Sequence, residues 1–259
     1  MIQLAANLSM LFPEHDFLDR FAAARAAGFK AVEYLFPYQW PAELLAEKLE
    51  EAGLEQVLFN MPPGDWDNGE RGISCLPGRE QEFQDSVGQA LEYAKVLRTP
   101  RLHCMAGVVA EDSDRQVHLE TYLQNLDFAA RACAEAGLDV LIEPINPYDI
   151  PGYFLNHSQQ ALDVLQQVSH ANARLQYDLY HMHRMGDDMP AFIAANTDQI
   201  AHIQVAGHPG RHEPDCGEVP FMQAFNTIDA QGYRGWIGCE YNPKTTTIEG
   251  LDWAKPYLI

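Results

Sequence analysis

The sequence predicts a single (β/α)8 barrel spanning residues 1–259. Eight short runs of β-formers alternate with segments of helical period, which favours a parallel sheet covered by helices. The length of 259 residues matches the roughly 250 that such a barrel needs. Finally, four of the apolar runs end in a carboxylate or an amide, and barrels of this kind carry their sites at the C-terminal ends of their strands.

The first strand is read at Leu4 to Asn7, followed by a helix that Asp16 can cap, with Phe17, Leu18, Phe21 and Ala24 on one face and Gly28 as its stop. The second strand, Ala31 to Leu35, leads to a helix opened by Pro41, carrying Leu44, Leu45 and Leu49 and ending at Gly53. Gln56 to Asn60 is the third strand, and Phe83, Val87, Ala90, Leu91, Ala94 and Leu97 mark a long third helix. Arg101 to Met105 precedes a helix bearing Leu119, Tyr122, Leu126, Ala130 and Cys133, ended by Gly137. Asp139 to Glu143 precedes a helix that Ser158 caps, with Ala161, Leu162, Leu165 and Val168 inward. Ala173 to Asp178 is followed by a short helix near Met189 to Asn196; Ile200 to Val205 by one between Pro220 and Gly232; Gly235 to Glu240 by a short segment at Thr247 to Trp253.

One connection departs from this rhythm. Met61 to Arg79 is far longer than the about 2–6 residues usual after a strand, and loops of that kind are commonly functional. Within it, Trp66 either closes over a ligand or packs on the barrel rim.

Composition narrows the function. With 17 Lys and Arg against 37 Asp and Glu, the formal net charge is -20, a field that repels nucleic-acid backbones and anionic lipid. An anionic small substrate then needs local Arg, His or metal charge to reverse the field inside the pocket. Five scattered cysteines form no C-x-x-C pair, as expected of reduced thiols in the cytoplasm. No segment approaches the about 18 apolar residues of a membrane span, and no G-x-G-x-x-G follows the first strand, so neither a membrane nor a nucleotide or redox cofactor is expected.

Glu143, Asp178, Gln204 and Glu240 end the fifth to eighth strands. Burying such groups is costly unless a cation or a dense hydrogen-bond set compensates them. An all-oxygen set, with Gln204 binding through its carbonyl, suits a divalent metal ion such as Mg2+ or Mn2+. Glu143 and Glu240 would face each other across the barrel mouth, a geometry for removing a proton on one side of a chelated α-hydroxycarbonyl compound and returning it on the other. Isomerisation or epimerisation through an enediolate follows. His181, just past Asp178, is placed to reach substrate oxygens or to serve as a hydrogen-bonded rim histidine, and Arg211 is the first candidate for binding a carboxylate, with Arg79 as the fallback. His103, His183, His202, His208 and His212 are read as surface or structural.

Val32-Glu33-Tyr34-Leu35-Phe36-Pro37-Tyr38, Pro63-Gly64-Asp65-Trp66 with Gly69-Glu70-Arg71-Gly72, Glu143-Pro144-Ile145-Asn146 and Gly238-Cys239-Glu240-Tyr241-Asn242-Pro243 together resemble the hydroxypyruvate isomerase family within the xylose-isomerase-like TIM barrels. The resemblance implies interconversion of hydroxypyruvate and 2-hydroxy-3-oxopropanoate, with Glu143 and Glu240 as the acid/base pair and a metal at Glu143, Asp178, Gln204 and Glu240. It also allows a homo-oligomer. A sister group isomerises the one-carbon-longer 2-oxo-tetronates, and Met105-Ala106-Gly107-Val108-Val109 is similar to that group. Ketose 3-epimerases are also related, but carry His in place of Gln204. An endonuclease IV-like repair enzyme would need a His-rich multi-zinc site and a basic face, and a non-catalytic barrel would be expected to lose Glu143 or Glu240.

Overall fold

Eight parallel strands, hydrogen-bonded in sequence order, close on themselves: β1 Leu4–Asn7, β2 Ala31–Glu33, β3 Glu55–Asn60, β4 Arg101–His103, β5 Asp139–Ile142, β6 Ala173–Asp178, β7 Ile200–Val205 and β8 Ile237–Cys239. The structure is a computed structural model and describes residues 2–258. Closure is made by β1 against β8, pairing Ala5 with Gly238 and Ala6 with Cys239.

Around the barrel lie α1 Arg20–Ala26, α2 Ala42–Ala52, α3 Glu80–Leu97, α4 Arg115–Glu135, α5 Ser158–Val168, α6 Leu179–Met185, α7 Met189–Asn196 and α8 Phe221–Ala230, with short 3-10 turns at Phe17–Asp19, Thr197–Gln199 and Leu251–Ala254. Asp16 and Ser158 do not cap as expected: Asp16 makes no side-chain cap bond, and Ser158 is already the first residue of α5. Among the described residues no helix is long and apolar enough to cross a membrane.

Alternation along the strands divides the interior in two. Leu4, Ala6, Val32, Leu102, Val140, Ile142, Ile203 and Ile237 join the large apolar cluster under the helices, whereas Ala5, Ala31, Leu58, Leu141 and Ala201 form a smaller, separate one. On β1, β2 and β3 the residues that share the phase of Ala5, Ala31 and Leu58 nearer the C-terminal ends are polar and buried, Asn7, Glu33 and Asn60, and His103, Gln176, His202 and Gln204 are buried polar residues of the neighbouring strands. Register shifts at Val32/Glu33 and at Leu175/Gln176 fall at two of them.

The long 61–79 connection is pinned at several points. Gly72 bridges Ala106 in antiparallel fashion, Cys75 N–H donates to Ala106 O (2.8 Å), and Ser74 Oγ donates to Met105 O (2.8 Å). Gly72 has φ 99°, and any Cβ there would overlap the Met105 carbonyl, so only glycine lets the loop approach the β4 connection so closely. Arg79, read from the sequence as a fallback carboxylate ligand, instead braces this loop. Its guanidinium pairs with Glu70 and, at 2.6 Å, with Glu82, and it is not part of the cavity lining described below.

Candidate active site

A cavity of about 530 Å3 opens at the C-terminal mouth of the barrel, a volume suited to a small molecule. Glu143, Glu240, His181, Arg211 and Trp66 line it together with Arg71, His103, Gln176 and Tyr180. Glu143 and Glu240 stand one residue past β5 and β8, where the chain leaves the sheet and a side chain can turn over the barrel mouth. Asp178 ends β6 and is the N-cap of α6, its Oδ1 accepting from Tyr180 N–H at 2.7 Å. That leaves Oδ2 free to face Arg211 Nη2 (3.5 Å) and His181 Nε2 (3.6 Å).

Arg211 comes from the loop between β7 and α8, where its backbone carbonyl accepts from Asn242 N–H at 2.8 Å. Its Nη2 also reaches Glu240 Oε2 at 2.5 Å, and its guanidinium lies over the Tyr180 ring, 5.1 Å from the centroid. The residue read as a carboxylate receptor is therefore already spent on Asp178 and Glu240. Gln204 departs from its expected role in a similar way. Its carbonyl oxygen accepts from Gln176 Nε2 (2.7 Å) and its own Nε2 donates to Glu33 Oε1 (2.8 Å), which places it in the polar layer beneath the cavity.

Glu33 organises that layer. One oxygen accepts from Asn7 Nδ2 (2.9 Å) and from Gln204, the other from His202 Nε2 (2.6 Å), and Asn7 Nδ2 also reaches Glu240 Oε1 at 3.3 Å. The whole carboxylate rests against Gly238, where any Cβ would collide with both oxygens. His202 is thus structural, as expected from the sequence. His103 is not: it lines the cavity with Nδ1 on Asn60 Oδ1 (3.1 Å) and Nε2 facing Glu143 Oε2 at 3.7 Å. No sequence motif singles it out, but its phase in β4 puts it beside Asn60 and under the cavity.

His181 is held in one tautomer. Asn146 Oδ1 accepts from the backbone of Tyr148 and Asp149, which turns Asn146 Nδ2 toward His181 Nδ1 at 2.6 Å. Nδ1 is then the acceptor, and in the neutral ring Nε2 carries the proton and points at Asp178 and the cavity. Glu143, Asp178 and His181 do bring possible ligand atoms within 4.8 Å of one another, but Asn146 makes the imidazole a donor. The three buried carboxylates are the better cation ligands.

A family model described as xylose isomerase-like TIM barrel matches residues 21–257. The chain belongs to that barrel family. It is 51% identical over 258 residues to 2-oxo-tetronate isomerase of Cupriavidus necator, covering 100% of this chain and 99% of that one. Hydroxypyruvate isomerase of Escherichia coli K12 is 45% identical over 258 residues, covering 99% of this chain and 100% of the other. Among solved structures, a chain from Brucella melitensis named AP endonuclease, family 2, superposes with TM-score 0.98 at 46% identity over the full length of both.

In this xylose-isomerase-like barrel the electrostatics of the mouth are unbalanced. Glu143, Asp178 and Glu240 are all buried and face one guanidinium. Burial, reinforced by Glu240 and Asp178, pushes Glu143 well above the usual carboxylate range; burial raises Glu240 to about 8 and Asp178 to about 6 against the pull of Arg211. Burial likewise drives His103 down to about 3 and His181 well below its ordinary value, so both rings are neutral at pH 7. A cluster of hard oxygen donors, including a Glu143 Oε1 that is buried without a hydrogen-bond partner, fits a divalent cation.

A pH dependence of stability follows. A carboxyl whose folded pKa is raised stabilises the fold fully below its unfolded value, here 4.5 for Glu240, and loses that contribution as pH climbs through about 8. The thermal midpoint of metal-free protein is expected to fall between pH 5 and 8.5, and Glu240→Gln to flatten that slope. Calorimetric melts across this range check it; a midpoint that rises with pH contradicts the raised carboxyls.

Proposed function

We propose that this barrel is an enediol isomerase of small 2-oxo-hydroxy acids, interconverting hydroxypyruvate and 2-hydroxy-3-oxopropanoate. The observation that carries the reading is a pair of buried glutamates, Glu143 and Glu240, on one cavity with raised proton affinities. One carboxylate takes a proton from C3, giving an enediolate across C2 and C3. The other delivers a proton to C2, while the C3 hydroxyl proton is released as C3 becomes the aldehyde and the former C2 carbonyl oxygen is protonated to a hydroxyl. The reverse reaction exchanges the two roles, so each glutamate must serve as acid and base.

The surrounding residues support this division. Asn7 and Arg211 hold Glu240, leaving its orientation fixed, and the Glu143 oxygen without a partner is free for substrate. His181 offers its Nε2 proton to a substrate oxygen. Glu143, Asp178 and Glu240 would hold a divalent ion, Mg2+ before Mn2+, and such an ion supplies Lewis-acid polarisation of the carbonyl and hydroxyl oxygens.

A second substrate, the one-carbon-longer 2-oxo-tetronate, is favoured by the 51% identity to the Cupriavidus necator isomerase against 45% to the Escherichia coli one. The endonuclease name of the Brucella protein does not transfer, because a formal charge of -20 opposes a phosphate backbone. Turnover of hydroxypyruvate and of 2-oxo-tetronates by purified protein, with Mg2+ and after chelation, tests the proposal. The higher kcat/KM identifies the substrate, loss on chelation supports the ion, and no turnover of either acid refutes the reading.

A further inference from the structure

We infer that Arg71, in the loop over the barrel mouth, is the residue that binds the substrate's carboxylate; this rests on the proposed isomerisation of hydroxy-oxo acids. Of the basic side chains lining the cavity among the described residues, Arg211 is committed to Asp178 and Glu240, His103 lies between Asn60 and Glu143, and His181 lies between Asn146 and Asp178. Arg71 remains. Its Nη1 donates to Trp66 O (2.9 Å) and Glu70 O (2.7 Å), while its Nε and Nη2 have no hydrogen-bond partner among the described residues. The Nε–Nη2 edge of a guanidinium is the edge that takes a carboxylate through two parallel hydrogen bonds.

The side chain is also held for the task. Its guanidinium stacks on the Trp66 ring, 3.7 Å from the centroid, and Trp66 in turn meets Phe36 edge to face at 4.9 Å. The residues on either side are fixed independently: Glu70 by Arg79, and Gly72 against the Met105 backbone. A guanidinium that is already oriented loses little entropy on binding, which is where affinity for a small anion is otherwise lost. Its placement also solves the problem set by the floor of the cavity. The acids there give an anion no partner, so an acid enters productively only if its own carboxylate is kept at the rim and its reacting carbons point inward.

The test compares wild type with Arg71→Gln, Arg71→Lys and Arg211→Gln, using steady-state kinetics on hydroxypyruvate and 2-oxo-tetronates and calorimetric titration with tartronate, a hydroxy dicarboxylate that has no carbonyl to isomerise. Arg71→Gln is expected to raise KM for the acids, and Kd for tartronate, on the order of 10- to 100-fold, with a smaller change in kcat. Arg71→Lys should recover part of that loss, since it restores the charge but not the fork. Melting curves check that each variant is folded. KM and tartronate affinity within about twofold of wild type in folded Arg71→Gln, or loss of tartronate binding confined to Arg211→Gln, would overturn the assignment. If wild type binds tartronate through Arg71 yet turns over no hydroxy-oxo acid, the carboxylate site stands and the proposed reaction falls. If wild type fails to bind tartronate and its acid KM is insensitive to Arg71, the carboxylate site falls by itself.

Discussion

Glu240→Gln is expected to lower kcat by about 10²- to 10⁴-fold while leaving the protein folded and no less stable. Glutamine keeps the shape and an acceptor oxygen for Arg211 and gives up only the longer 3.3 Å bond from Asn7, so the geometry of the mouth survives. What disappears is the proton. Glu240 has its pKa raised to about 8 and therefore carries a proton through much of the neutral range, which an amide cannot donate or regain. Removing an acid that burial disfavours in its charged form should also relieve repulsion with Glu143 and Asp178, so the thermal midpoint at pH 8 should hold or rise. Glu143→Gln should behave alike, because the reaction needs both groups. Steady-state rates together with melts distinguish this from unfolding; a folded Glu240→Gln protein with wild-type kcat would remove Glu240 from the proton-transfer step.

Glu33→Ala is expected to be the most destabilising single change near the site, about 3–5 kcal/mol, and to abolish turnover indirectly. Glu33 is not in the lining of the mouth cavity, but its two oxygens satisfy Asn7, Gln204 and His202, all buried in the barrel. Truncation leaves those donors without an acceptor in a volume with no solvent. Asn7 would then lose the restraint that orients it toward Glu240. Denaturant unfolding measures the loss, and Gly238→Ala should reproduce much of it by driving the carboxylate off its seat. A Glu33→Ala protein as stable as wild type would mean that the polar layer carries no net energy.

The barrel was legible in the sequence because apolar strands, helical periods and glycine stops all marked the same alternation. The strands came out shorter than read at β2, β4, β5 and β8, since buried residues such as Tyr34, Met105 and Glu143 continue past the end of the ladder. α6 was missed: seven residues, Leu179–Met185, are too few to display a period, although Asp178 as cap and Gly186 in the left-handed conformation bound it. Glu143, Asp178 and Glu240 were legible as a group because acids at the ends of buried strands need a compensating partner. What the partner is was less so. Sequence spacing cannot tell that Arg211 reaches back to Asp178 and Glu240, that Gln176 occupies the carbonyl of Gln204, or that Arg79 turns away to Glu70 and Glu82. The contacts of Arg211 and Gln176 join residues that only the closed barrel brings together, and those of Arg79 depend on how the 61–79 connection folds back on itself.

Glu143 and Glu240 are proposed to move a proton between two adjacent carbons. Proton NMR of hydroxypyruvate incubated with the protein in D2O tests it most directly. The expected result is 2-hydroxy-3-oxopropanoate carrying deuterium at C2, with deuterium also entering C3 of recovered hydroxypyruvate, and neither signal with Glu143→Gln or Glu240→Gln. Product formed without any deuterium, as in a direct hydride shift, would contradict it.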